Sequence, residues 1–164
     1  MQAIARRTGG LLDLVARYAS AQTPDLIRNL TLLLARSAGD PTIDVAPLVW
    51  RVVGELRSDD SLSRVNLLDA MASLGVHQRL LTPGEIPPSQ LYPFLLDCLG
   101  REARVQAGAA SVVGWLDAHD DLSRFPPEQV AALRDRLLRL RDTASDDRLK
   151  RELEYLDGFL ANGC

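Results

Sequence analysis

Aromatic residues make up only 5% of this 164-residue chain, which also carries just two cysteines, two histidines and a single lysine, Lys150. Each shortage excludes something. Cys98 and the terminal Cys164 cannot build a disulfide framework or a zinc site of paired-cysteine spacing, and such usage fits a reducing cytoplasm. Scarce β-branched and aromatic residues leave little material for pleated sheet. No apolar run approaches the roughly 20 residues that a bilayer-spanning helix requires. The opening MQAIARRTGGLLDLVARYA places basic residues before an apolar patch. Asp13 and Arg17 interrupt that patch and no small-residue cleavage signal follows, which argues against a secretory leader. Excess charge of one sign is missing too: the formal net charge is −3, so nothing draws the whole molecule to nucleic acid or to anionic membranes. The preponderance of arginine over lysine reads as a coding bias, because scattered guanidiniums cannot all be ligand contacts.

What is abundant is leucine and alanine, both strong helix formers. Helical periodicity runs through eight segments, over residues 10–20, 23–37, 44–57, 61–76, 89–99, 102–118, 126–141 and 145–160. Thr23 followed by Pro24 reads as an N-cap and first helical position. The second segment then buries Leu26, Ile27, Leu30, Leu33 and Leu34. Val45, Leu48, Val49, Val52, Val53 and Leu56 stripe the third, and Leu62, Val65, Leu68, Met71 and Leu74 the fourth. Gly75 and Gly100 are expected as C-terminal stops. Ser89 and Ser145 are expected as caps, with Asp146 and Asp147 favourably placed in a first turn. A loop rich in proline and glycine covers 77–88.

The chain also repeats itself. RVNLLDAMASLG at 64–75 returns as RVQAGAASVVGW at 104–115: an Arg-Val pair, a polar amide, then an alanine-containing helical stretch. The eight segments pair as hairpins whose second helices begin near residues 24, 62, 101 and 146, at steps of about 38, 39 and 45. A period in that range marks a helical solenoid, in which no unit can bury its apolar face alone.

LVWRVVGELRSDDSLSRVNLLDAMASLG and QLYPFLLDCLGREARVQAGAASVVGWLD resemble HEAT repeats, within the wider HEAT/armadillo superfamily. Pro47 and Pro93 stand in or near outer helices, and Asp59, Asp60 and Glu102 supply the acids of the turns. Arg precedes Val here, the reverse of the usual order. The resemblance implies an all-α fold, a right-handed α-superhelix of about four HEAT-like hairpins. It would form one domain over 1–164, with units near 9–37, 43–76, 88–118 and 126–161. It also implies a structural ladder in which Arg28, Arg64, Arg104 and Arg148 pair with acids of the next turn, although such a row could instead bind carboxylate or phosphate.

Repeat proteins recognise partners on the curved face lined by their inner helices, so a protein or peptide partner is the leading expectation, by analogy of fold. Asn29, Asn66, Asp69, Ser73, Gln106, Val113 and Arg151 fall opposite the buried stripe and are expected to face that groove. Two other readings stand beside it, a structural subunit of a larger assembly and a HEAT-like DNA glycosylase. In the latter, Asp117 would stabilise an electron-poor sugar and Trp115 would stack on the nucleotide; core packing is the simpler role for Trp115. No cofactor is expected. His77 and His119, even with Asp117, Asp120 and Asp121 nearby, lie on helices about 8–10 Å apart, so no metal is expected. Arg134, Arg136, Arg139 and Arg141 alternate with leucines and read as a solvated helix face. Gly108 in mid-helix costs about 0.5–1 kcal/mol against alanine, which a closely approaching helix would offset.

Overall fold

The computed structural model of the chain describes residues 24–40, 44–56, 59–77 and 88–161, and among these every regular element is a helix. The helix expected over 10–20, the Thr23 cap and the loop over 78–87 lie outside the described residues, as does Cys164. Among those described, no helix is long and apolar enough to cross a membrane. The chain divides into two compact units, residues 1–78 and 79–164.

The first unit holds α1 (Pro24–Ala38), α2 (Ala46–Glu55) and α3 (Ser61–His77). Asp25 in the first turn of α1 and Arg36 in the last complement the helix dipole. In α2, Pro47 occupies an early position where its missing N–H costs nothing. Val45, Leu48, Val49, Val52 and Val53 are buried as expected, together with Trp50. The start of α3 is set by Asp60, whose Oδ2 accepts from the Ser63 backbone N–H at 2.8 Å and from its hydroxyl at 2.7 Å. Gly75 does not end α3, which runs on to His77. α3 packs along α1, and both touch α2.

Periodicity assigned most of this core correctly and missed its polar members. Leu33 and Leu62 are exposed, whereas Thr31, Ser63 and Asn66 are buried. α3 carries Val65, Leu67, Leu68, Ala70, Met71 and Leu74 inside, so its apolar surface wraps most of the helix rather than one stripe. Each fully buried Leu or Met contributes about 1.5–3 kcal/mol.

The second unit contains α4 (Pro88–Cys98), α5 (Ala103–Ala118), a 3-10 turn (Asp121–Arg124), α6 (Pro127–Thr143), α7 (Asp147–Tyr155) and α8 (Asp157–Ala161). Ser89 lies inside α4 rather than capping it. Pro93, also inside, removes the donor that would have reached the Ser89 carbonyl. Gly100 follows α4 with its N–H on the Asp97 carbonyl at 2.9 Å. A Cβ there would stand 3.2 Å from that same oxygen, which explains the glycine. α5 stops where Asp120 turns left-handed at φ 59, a conformation that Asp adopts more readily than most residues. The expected cap Ser145 is displaced by Asp146, whose carboxylate accepts from the N–H groups of Arg148 and Leu149. The single helix expected over 145–160 breaks at Leu156 into α7 and α8.

α5 packs on α4, on the 3-10 turn and on α7, while α6 packs on α4, α7 and α8. Between so many neighbours α5 is buried at Val105, Ala107, Gly108, Ala109, Ala110, Val112, Val113 and Leu116. Gly108 is thus among small buried side chains, where helices approach closely.

Candidate functional site

The residues expected to face a groove differ in their exposure within each unit. Asn29 and Arg151 are exposed, and Asp69, Ser73 and Gln106 are half-buried. Asn66 and Val113 require correction: they are 6% and 0% exposed and cannot meet a partner. The expectation assumed one buried stripe per helix, but α3 and α5 are covered on several sides. Asn66 Nδ2 instead donates to Thr31 Oγ1 at 3.2 Å and lies 3.4 Å from the Arg28 carbonyl. Gln106 Nε2 donates to the Leu99 carbonyl at 3.4 Å. Arg151 Nε turns back to the Asp147 carbonyl.

The four arginines of the expected ladder behave differently from one another. Arg28 bridges α1 to the start of α3, donating through Nη2 to Asp60 Oδ1 at 2.7 Å and through Nε to Oδ2 at 3.4 Å. Its hydrogen bond and charge, reinforced by Ser63, hold the Asp60 carboxyl at about 2, below its usual range, although burial acts the other way. The same contact raises the Arg28 pKa. Arg64 is buried and pairs within its own turn, with Asp59 at 3.8 Å. Arg104 and Arg148 are exposed.

The basic run on α6 is not simply a solvated face. Arg134 and Arg136 are half-buried. Arg134 Nε donates to the Phe159 carbonyl at 3.0 Å, with its guanidinium carbon 4.7 Å from the centroid of the Phe159 ring. Arg136 Nε donates to the Leu99 carbonyl at 3.3 Å. Long stems lie along apolar surface while the heads find carbonyls. Arg139 stays on its own helix and Arg141 pairs with Asp157 at 3.7 Å.

No group of three side chains among the described residues could hold a metal ion. His119 closes α5 and stacks on Trp115, with centroids 5.8 Å apart and planes inclined by 18°. Asp117 is exposed and outside the cavity described next. The carboxylate of Asp121 is buried, with Oδ2 unbonded and Arg124 4.0 Å from Oδ1.

One open cavity of about 430 Å³ lies on the second unit between α5 and α7. α5 contributes Ala110, Ser111, Gly114, Trp115 and Ala118, and α7 with the residue after it contributes Glu152, Tyr155 and Leu156. The volume is within the range of ligand pockets. Ala110, Gly114 and Ala118 recur every four residues and so form one smooth row along α5. Trp115 is half-buried at its edge rather than a core residue. Tyr155 is 86% exposed. Glu152, half-buried, is the sole charged group of the lining. A sequence signal for the groove exists in the small residues at 110, 114 and 118 beside Trp115, but it becomes readable only once α7 is known to lie alongside. Compared with protein-family models, characterised proteins and solved structures, the chain shows no match in any of the three.

Proposed function

We propose that the chain is a non-catalytic binding module, a right-handed superhelix of HEAT-like hairpins that engages a protein or peptide through the surface of its inner helices. The observation that carries this reading is the apolar groove between α5 and α7, both inner helices in that scheme, with an aromatic wall and no metal cluster or catalytic constellation among its lining residues. Packing of helices two apart in the chain, α1 on α3 and α5 on α7, supports stacked hairpins. The Arg28–Asp60 bridge is the kind of contact by which a ladder ties neighbouring turns. A reducing cytoplasm suits the buried free thiol of Cys98.

The groove is the proposed contact surface of the second unit. Immobilised full-length chain should retain a partner from native lysate, while Gly114→Arg and Tyr155→Ala chains should lose it. Both variants should keep the helical circular-dichroism signal: a Cβ at 114 meets only Leu156 Cδ2, at 3.5 Å, and Tyr155 is exposed. Full retention of the partner by both variants would move the site elsewhere.

A further inference from the structure

We infer that α8 is an exchangeable latch. It closes on α6 of its own chain in the form described, and on α6 of a second copy when α7 and α8 join into one straight helix. The inference is independent of the α5/α7 groove and rests on what holds the break at Leu156.

No local signal makes that break. The chain carries no proline after Pro127, and among the described residues other than glycine only Asp120 stands at positive φ. Leu156 sits at φ −91 and ψ 5, a departure of about 45° in ψ from helical backbone. Its carbonyl still accepts from the Leu160 N–H at 2.9 Å. Gly158 lies past the break, and a Cβ there would meet nothing within 4 Å. Leu149, Leu153, Leu156 and Leu160 are all buried and follow at steps of four, three and four, the spacing of one uninterrupted amphipathic helix.

What the bend gains is Phe159. On a straight helix this residue would stand about a quarter of a turn from the leucine stripe, one helical turn on from Tyr155. Tyr155 is exposed, whereas Phe159 is buried. The seat is on α6. Arg134 Nε donates to the Phe159 carbonyl at 3.0 Å, and its guanidinium lies over the Phe159 ring. Arg141, seven residues on and so on the same face of α6, pairs with Asp157 at 3.7 Å. The bend is therefore held by contacts between α8 and α6, and α6 of any copy can make them.

That identifies the partner. Straightening carries Phe159 off α6 and uncovers both the key and its seat, which already fit each other. Two straightened chains satisfy both by trading α8 about a two-fold axis. Each contact of the closed latch is remade across the pair, so the trade costs association entropy and gains a continuous helix. Short hinges favour exchange, and Leu156 alone separates α7 from α8.

Sedimentation of the full chain over a wide range of concentration tests the inference, with a monomer–dimer equilibrium expected. Two glycines inserted between Leu156 and Asp157 interrupt the straight helix and give α8 slack to reach its own α6. That chain should stay monomeric at concentrations where the parent dimerises. Phe159→Ala spoils the key and Arg134→Met the seat. An equal mixture of these two variants can pair one intact key with one intact seat, and should dimerise about fivefold more tightly than either variant alone. A parent that is monomeric throughout overturns the inference. So does a dimer that survives the insertion, or a mixture no tighter than its components. If either variant loses its helical circular-dichroism signal, the comparison of parent with insertion decides.

Discussion

Replacing Asp60 by asparagine isolates the worth of its charge, because the amide can still cap α3 while losing the ion pair with Arg28. The carboxylate accepts two hydrogen bonds from Ser63 and two from Arg28, among its contacts, and its side chain is only 17% exposed. Folding lowers its pKa from 3.8 to about 2. The unfolded chain therefore binds the extra proton over the interval from about pH 4 down to about pH 2. Stability contributed by the group is complete above that interval and disappears as pH falls through it. A shift of that size corresponds to roughly 2.5 kcal/mol at 1.36 kcal/mol per unit. Arg28 is 40% exposed, and solvent screening reduces the figure to about 1–1.5 kcal/mol. Asp60→Asn should lose that amount at pH 7, and Asp60→Ala about 1 kcal/mol more through the missing cap. The sequence holds two tryptophans, and Trp50 belongs to the first unit. Urea unfolding followed by Trp50 fluorescence in a Trp115→Phe background then reads the surroundings of Trp50 in this unit. Asp60→Asn should also flatten the decline in stability between pH 4 and 2. Equal urea midpoints at pH 7, together with an unchanged acid limb, would refute the assignment.

Three further outcomes follow from contacts elsewhere. Asn66→Ala removes the donor to Thr31 and leaves the Thr31 hydroxyl one partner short, so it should cost about 1–3 kcal/mol; a double-mutant cycle with Thr31→Val by urea denaturation should show coupling of about 0.5–1.5 kcal/mol. Gly114→Ala should act in the opposite direction, stabilising the second unit by up to about 1 kcal/mol through helix propensity, since its Cβ makes an ordinary 3.5 Å contact; thermal unfolding of the two proteins checks the sign. Arg134→Met keeps the stem but gives up the Phe159 carbonyl and ring contacts, and should lower stability by about 1–2 kcal/mol, read from urea midpoints followed by Trp115 fluorescence.

The helices were largely legible in the sequence because leucine and alanine recur at helical spacing, and Pro24 and Gly100 punctuate them where the structure begins or ends an element; the helix expected from Pro126 begins one residue later, at Pro127. Boundaries failed where a stronger local capping group stood one residue away, as Asp146 beside Ser145. Exposure failed on α3 and α5, where neighbours on several sides bury residues that a one-stripe wheel places in solvent, Val113 above all. The partners of the α6 arginines were illegible for a related reason, since a pattern of charges reveals nothing about carbonyls supplied by Leu99 after α4 or by Phe159 in α8. The groove was illegible because one wall of it, Glu152, Tyr155 and Leu156, comes from α7 and the residue after it, some forty residues after α5, and a sequence shows one helix face at a time.

Apolar burial supplies most of the cohesion between α1 and α3 but does little to fix their register. Moving one helix past the other by a turn, 5.4 Å, would exchange one set of leucines for another at modest cost. The polar contacts make that slip unfavourable. It would part Arg28 from Asp60 and leave the Asn66 amide, 6% exposed, without its partners on α1. An unmet buried amide costs about 1–3 kcal/mol, and the broken ion pair adds to it. The repeated amide after Arg-Val serves a different partner in the second unit. Gln106 is longer by one methylene and reaches back seven residues to the Leu99 carbonyl just beyond α4, where Arg136 of α6 arrives as well. Asn66 is the sixth residue of its helix and Gln106 the fourth, and both satisfy oxygen atoms outside their own helix. Asn66 pins a neighbouring hairpin, whereas Gln106 closes its own and leaves the link between hairpins to an arginine.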